Sequence, residues 1–341
     1  MLAKTVLLLL LGCAWIVTAA IIRKVKVSQH GDGHYKTIKE AIKSLPNNSE
    51  TWEIEIDAGV YNEQLIVDRP GPVILRGKTH GKATTYADNL VTIAWNESTA
   101  TPGASDEDTS ALIVNNEGFK AYNINFNQTW GLSFNGSQAV AVTVNSDKVV
   151  FDQCLFTGYQ DTLFVGNRTS VGRQYFKDCY IAGAVDFIFG NASSYFDHCT
   201  IASNGPSHVT AQKRQWIDDS EAILSAMIFN ECRIVRDWNT NGVDLTRQCD
   251  LGRPWRDHAK VVYMNSFIDD HVKAEGWGSW YSTTHGDYSN VFYAEYNNTG
   301  PGSWEENAAS RTLNYTRLLN ASEAKQFKFE EWFKHDLSWI N

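Results

Sequence analysis

Residues 154–164 read CLFTGYQDTLF, and after a polar turn residues 178–199 read DCYIAGAVDFIFGNASSYFDHC. Asp161 lies seven residues after Cys154 (161−154), and Asp186 lies seven residues after Cys179 (186−179). If each copy is one coil of a stacked β-structure, the two aspartates lie above one another at the strand spacing of roughly 4.8 Å. Two carboxylates at that distance cannot both ionise freely, so one becomes an acid and the other a base. The stretch therefore predicts a catalytic pair.

The same strand pattern recurs along the chain as an apolar pair, a polar residue, a Cys or small residue, and a further apolar residue. The copies are 121–126, 149–156, 174–181, 194–201, 227–234 and 261–268. Unequal loops between copies of a fixed strand pattern, at roughly 20–35 residues per unit, are typical of an all-β parallel β-helix. A β-sandwich is the alternative, but its turns would recur every 8–12 residues or so.

Both ends of the predicted solenoid carry helical patterns. Ile38, Ala41, Ile42 and Leu45 have helical spacing that ends at Pro46, which predicts a short helix covering the first coil. The C-terminal segment 319–341 has partial helical spacing and is expected to pack back along the coils.

The first twenty residues are typical of a secretory signal, with Lys4, an apolar run and small residues at 17–20. We therefore expect a signal peptide at 1–20, one catalytic domain at 21–341, and an extracellular protein. A membrane anchor and a lipoprotein signal ending at Cys13 are the alternatives. The net charge of −9 argues against nucleic acid as a partner. No CxxC spacing occurs, and we expect neither a metal nor a cofactor.

Secretion would permit disulfides and glycans. The mature chain has five cysteines, and we predict a Cys179–Cys199 bridge because both hold the same repeat position on adjacent coils; stacked free thiols are the alternative. Nine N-x-S/T sequons are candidate glycan sites, of which we expect the one beside Asp186 to stay bare. They begin at Asn47, Asn96, Asn127, Asn135, Asn167, Asn191, Asn297, Asn314 and Asn320.

Three further side chains suit chemistry at the aspartates. Gln160 and Gln138 offer amide donors for an oxyanion, and Arg253 could hold one carboxylate ionised through a two-pronged contact. A purely structural Arg–Asp bridge remains an alternative.

Several longer segments carry a family resemblance. GYQDTLF, DFIFGNA and LGRPW (251–255), with SQAVAV (137–142), GDGHYKTIKEAI (31–42) and IEIDAGVYNEQLIV (54–67), resemble the signature segments of pectin methylesterases. The resemblance implies a right-handed parallel β-helix and a monomer that acts on methyl-esterified pectin.

The same resemblance implies roles for individual residues. Asp186 would be the nucleophile and Asp161 the general acid and base, with Gln138 and Gln160 at the oxyanion and Arg253 orienting Asp186. The polymer would lie on four aromatic residues, which are Trp255, Phe189, Trp277 and Trp280.

Other functions stay open at this point. Paired carboxylates about 5 Å apart also suit a retaining glycosidase of galacturonan, and a β-helix can bind polysaccharide without turnover. Within the esterase mechanism, Asp186 could attack the ester directly or activate a water.

Overall fold

The chain forms a right-handed parallel β-helix, as the repeat and the resemblance predicted. The computed structural model describes residues 22–131, 137–166, 172–215, 225–280 and 288–340. The predicted signal peptide and the sequons at Asn135 and Asn167 lie outside these ranges. Within them, each coil contributes strands to three parallel sheets of eleven, eight and seven strands, called here sheets A, B and C.

The strands of each sheet follow one another along the axis in chain order. Sheet A consists of Arg23–Val27, Trp52–Ile56, Val73–Gly77, Lys120–Tyr122, Val149–Asp152, Arg173–Lys177, Ser193–Asp197, Ala226–Asn230, Lys260–Met264, Phe292–Tyr296 and Thr316–Leu318. Sheet B consists of Gly59–Asn62, Val91–Trp95, Asn125–Gln128, Leu155–Thr157, Tyr180–Gly183, Thr200–Ser203, Arg233–Arg236 and Phe267–Ile268. Sheet C consists of Leu65–Val67, Leu112–Val114, Val142–Val144, Leu163–Val165, Ile188–Gly190, Ser207–Gln212 and Cys249–Pro254.

One aromatic position in each coil builds a ladder through the interior. The rings of Phe151, Phe176, Phe196, Phe229 and Tyr263 stack in register, with centroid separations of 5.3, 4.7, 4.6 and 4.4 Å. Offset or parallel stacking of buried rings adds to the burial of their apolar area. The ladder fixes the axial register, so residues at equal offsets in neighbouring coils lie above one another.

The polar residue before each predicted cysteine position makes the turn from sheet A to sheet B. Gln153, Asp178, His198 and Glu231 all have left-handed backbone conformations, with φ between 51° and 53°. Non-glycine residues adopt this region only when the surrounding structure holds them there. The neighbouring strands supply that constraint on both sides of the turn.

The N-terminal end is covered as the sequence predicted. Helix α1 (Ile38–Ser44) begins at Thr37, whose side chain accepts a hydrogen bond from the Glu40 backbone N–H (3.1 Å), and it buries Ile38 and Ala41 against the first coils. Three further single-turn helices are α2 (Trp304–Asn307), α3 (Ala321–Ala324) and α4 (Phe329–Trp332). Short 3₁₀ helices span Tyr86–Asp88, Glu107–Thr109, Ala308–Ser310 and Lys325–Phe327.

The C-terminal segment packs on the outer face of sheet A. Trp332 donates its indole N–H to the Ser193 hydroxyl (2.8 Å), and Phe329 contacts the rings of Tyr175 and Tyr195. No helix within the described ranges has the length and apolar character needed to cross a membrane.

The predicted Cys179–Cys199 bridge is wrong in this structure, because both residues are buried free thiols. They do occupy equivalent positions, but in-register parallel strands keep Cβ atoms near the strand spacing of about 4.8 Å, beyond the roughly 3.5–4.5 Å of a disulfide. Each sulfur instead points at carbonyl oxygens of its own and the preceding coil; Cys179 Sγ, for example, lies 3.5 Å from the Phe151 oxygen.

Candidate active site

Asp161 and Asp186 lie at equivalent corners, where sheet B leads into sheet C. The strands that follow them pair in register with Leu163 opposite Ile188, two residues beyond each aspartate, and Gln160 forms a bridge with Val185. Both aspartates have left-handed φ values, 65° and 50°. Their side chains are thereby stacked on one corner of adjacent coils, as the spacing from the cysteines predicted. They are 8% and 6% exposed.

The electrostatic surroundings of Asp161 favour its protonated form. Burial raises the pKa of Asp161 well above its ordinary value, and the negative charges of Asp186 and Asp106 raise it further. The positive charge of Arg253 lowers this pKa, but it is the weakest of these influences. Asp161 can therefore carry a proton at pH values where an ordinary aspartate has lost it.

Arg253 forms an ion pair with Asp186. The guanidinium makes a two-pronged contact, from Nε to Oδ1 at 3.0 Å and from Nη2 to Oδ2 at 2.6 Å. Charge-assisted forks of this kind are short and fix the carboxylate plane. Arg253 reaches Asp186 because Ala211 opposes both Phe189 and Arg253 in sheet C, which places the arginine two strands away on the same face. One carboxylate is thus paired with a guanidinium, directly beside one whose surroundings favour the protonated form.

The two predicted glutamines flank this pair. Ala139 donates its backbone N–H to the Gln160 carbonyl (3.2 Å), so the segments that carry Gln138 and Gln160 lie on neighbouring coils. The Gln138 side-chain oxygen accepts a hydrogen bond from the Thr99 hydroxyl (2.8 Å), which leaves the amide N–H₂ as the end available to a ligand. An amide oriented in this way can donate to a developing oxyanion.

Aromatic rings border the Arg253–Asp186 contact. The Arg253 guanidinium lies 4.0 Å from the centroid of the Trp280 ring, and Trp280 lies 6.3 Å from Trp255. Phe189 is buried beneath Trp255, at 6.1 Å, and stacks on Phe164 at 4.5 Å. Trp255 and Trp280 are partly exposed beside the aspartates. Phe189 was also predicted to contact the polymer, and this prediction is wrong, because its ring is 2% exposed and supports the Trp255 ring from below.

Trp277 was also predicted to line the groove, and this prediction is wrong. Its side chain is buried in the central core, stacked on Tyr293 at 4.3 Å. Its indole N–H donates to the Glu295 carboxylate (3.3 Å), which also accepts from Arg311 Nε at 3.0 Å. A buried ion pair needs such additional hydrogen bonds to offset its desolvation, so Trp277 has a structural role.

The sequence reasoning missed four residues near the site. They are Thr99, which orients Gln138; Asp106, whose charge acts on Asp161; Lys213, whose ammonium lies 4.7 Å from the Trp255 ring; and Tyr288. Tyr288 accepts from the Trp280 backbone N–H (3.0 Å) and donates to its carbonyl (2.8 Å), so it fixes the position of the Trp280 backbone. All four lie outside the strand repeat, and none belongs to a recognisable motif. In the described residues, no cluster of three or more His, Cys, Asp or Glu side chains is arranged to hold a metal ion.

Comparison with known proteins gives one consistent result. The family model described as Pectinesterase matches residues 24–336. A curated relative, "Probable pectinesterase A" of Aspergillus niger, is 40% identical over 272 residues, which cover 80% of this chain and 77% of the relative.

Solved structures agree. The pectin methylesterase from Aspergillus niger superposes with a TM-score of 0.78 at 35% identity, covering 95% of this chain and 98% of that one. The pectin methylesterase from carrot gives a TM-score of 0.76 at 28% identity, covering 93% and 95%. With a family match over nearly the whole described chain and relatives well above 30% identity, this protein belongs to the pectinesterase family.

Proposed function

We propose that the protein is a secreted pectin methylesterase that hydrolyses C6 methyl esters of polygalacturonate to carboxylate and methanol. The observation that carries this proposal is the fork from Arg253 to Asp186 beside the buried, proton-retaining Asp161. Family membership supports the same chemistry. Residues 1–20 would direct secretion, and the substrate would be methyl-esterified homogalacturonan.

The first half of the reaction follows from the positions of these groups. An Asp186 oxygen attacks the ester carbonyl carbon, and the carbonyl oxygen becomes an oxyanion that accepts hydrogen bonds from the amides of Gln138 and Gln160. Collapse of this intermediate breaks the bond to the methoxy oxygen. Asp161 gives its proton to that oxygen, so methanol leaves and an acyl-aspartate remains.

The second half restores the enzyme. Asp161, now ionised, takes a proton from a water molecule as that water attacks the acyl carbon. The bond to Asp186 breaks, the galacturonate carboxyl is released, and Asp161 again carries its proton. A mechanism in which Asp186 only activates the water requires the same residues and releases the same products.

Methanol release from highly methyl-esterified pectin tests the proposal. The wild-type protein should release methanol without new reducing ends, whereas a glycosidase would produce reducing ends without methanol. Asp186→Asn should abolish methanol release, because loss of a nucleophile usually costs several orders of magnitude. Retention of more than about a tenth of the wild-type rate would contradict the assignment.

A matched control is available at another corner of the same coil. Asp178 also has a left-handed φ, 51°, but it lies at the corner between sheets A and B. Asp178→Asn should therefore keep the wild-type rate. Equal losses in both variants would indicate a general effect on the coil and not a catalytic role.

A further inference from the structure

A cavity lies on the side of sheet B, near the candidate active site. It has a volume of about 460 Å³, within the range of small-molecule sites. Tyr159 lines it and lies two residues before Asp161, and its carbonyl accepts from the Ala184 N–H (2.7 Å), two residues before Asp186. The cavity and the aspartate pair therefore share the same two corners.

An exposed tryptophan stands at this cavity. Trp238 is 88% exposed, the most exposed of the large apolar side chains in the described residues. Ligand pockets are lined predominantly by hydrophobic and aromatic side chains, and the Trp238 indole supplies such a surface at this cavity. A flat aromatic face is suited to the apolar face of a sugar ring, and the indole N–H remains available as a donor.

The walls of the cavity are amides and hydroxyls. Asn127, Thr157, Asn204 and Asn239 all line it. Asn204 donates its amide N–H to the Gly158 carbonyl (2.9 Å), but its Oδ1 atom is buried without a hydrogen-bond partner. A buried acceptor of this kind costs free energy until it receives a donor, and a sugar hydroxyl at the cavity wall would supply one.

The charge of the cavity wall favours the methyl-esterified residues of the proposed substrate over the free galacturonates. Of the described residues lining the cavity, Asp237 is the only Asp, Glu, Lys, Arg or His; its carboxylate accepts from the Tyr180 hydroxyl (3.1 Å) and the Asn239 N–H (3.2 Å). A free galacturonate would bring a second carboxylate to this wall without a cation to balance it. A methyl-esterified residue carries no charge and has the same ring and hydroxyls.

We propose that this cavity binds a methyl-esterified galacturonosyl residue of the polymer whose neighbouring ester is at Asp186. This inference rests on the proposed function. It makes the enzyme select densely esterified stretches, because the residue in the cavity must be neutral. The affinity falls as neighbouring esters are removed.

Binding measurements on an inactive background test the cavity directly. Fully methyl-esterified and fully de-esterified hexagalacturonates are titrated by calorimetry into Asp186→Asn, made in a bacterial host that adds no N-glycans. Adding Trp238→Ala should weaken binding of the esterified oligomer about five- to tenfold, the value of one aromatic contact. Trp238→Phe should retain most of the affinity. Adding Asp237→Asn should strengthen binding of the de-esterified oligomer several-fold and leave the esterified one unchanged.

The control and the opposing outcomes are equally specific. Val60, 56% exposed and distant in sequence from the cavity, gives a matched surface truncation in Val60→Ala that should leave both affinities unchanged. Unchanged affinity in Trp238→Ala, or no response of the de-esterified oligomer to Asp237→Asn, would overturn the proposal. The proposal would also be overturned by protein from a eukaryotic secretory host that carries a glycan at Asn127, in the cavity, and binds the esterified oligomer with undiminished affinity. Methanol release by the wild-type protein is measured separately, so failure of the cavity is distinguishable from failure of the esterase assignment.

Discussion

Replacement of Arg253 by lysine tests whether the shape of the cation matters as well as its charge. Arg253 makes two charge-assisted hydrogen bonds to Asp186, at 3.0 and 2.6 Å, and a lysine ammonium can keep only one of them in this plane. Loss of one such bond is worth about 1.5–3 kcal/mol, which corresponds to a decrease in kcat of about ten- to 150-fold. The flat contact with Trp280 at 4.0 Å is lost as well.

The assay is the initial rate of methanol release from highly esterified pectin, with kcat and KM determined separately. Arg173 provides a matched control, because it makes an equivalent fork to Asp147 (2.9 and 2.6 Å) and its side chain is 19% exposed, against 20% for Arg253. Arg173→Lys should retain wild-type kcat. Near-normal kcat in Arg253→Lys would refute the fork and show that positive charge alone suffices at this position.

Three further changes have defined outcomes. Asp106→Asn removes a negative charge that raises the pKa of Asp161, so the high-pH fall in methanol release should move to lower pH; an unmoved profile would exclude this influence. His271 is fully buried, and burial lowers its pKa from 6.5 to about 4. The unfolded chain therefore binds a proton that the folded chain does not, and stability should fall as pH decreases from about 6.5 to about 4, by up to about 3 kcal/mol. In His271→Leu this part of the acid loss, measured by urea unfolding at pH 7 and pH 4, should disappear; an unchanged loss would place its origin elsewhere. Trp277→Ala should reduce the free energy of unfolding by about 3–5 kcal/mol because it empties a core position. A raised KM without loss of stability would instead indicate that Trp277 contacts the polymer in the groove.

The shared register of the aspartates was predictable because a parallel coil repeats its side-chain positions at equal offsets. The cysteine spacing marks that offset, and the Phe151-to-Tyr263 ladder enforces it in three dimensions. The residue type suggested a fork from Arg253 to one of the carboxylates, but the family resemblance was needed to assign it to Asp186, since nothing in the sequence spacing alone brings residue 253 to residue 186.

Other features depend on packing that the repeat does not encode. Trp277 and Trp280 lie three residues apart in one loop, and only the contact with Tyr293 and the bond to Glu295 make the first a core residue. The disulfide prediction took equivalent positions as sufficient, although parallel stacking keeps the Cβ atoms of Cys179 and Cys199 too far apart. Asp106 comes from a loop between sheets B and C, and its effect on Asp161 depends on where that loop folds.

The pH dependence of methanol release in Asp161→Asn tests the coupled aspartate pair most directly. Wild-type turnover needs Asp186 ionised and Asp161 protonated, so the rate should fall on both sides of an optimum. Burial and two nearby carboxylates raise the pKa of Asp161, which assigns the high-pH fall to loss of its proton. Asp161→Asn should slow methanol release and remove the high-pH fall from the residual rate. A residual rate that keeps the wild-type high-pH fall would place the titrating acid elsewhere and contradict the pairing of Asp161 with Asp186.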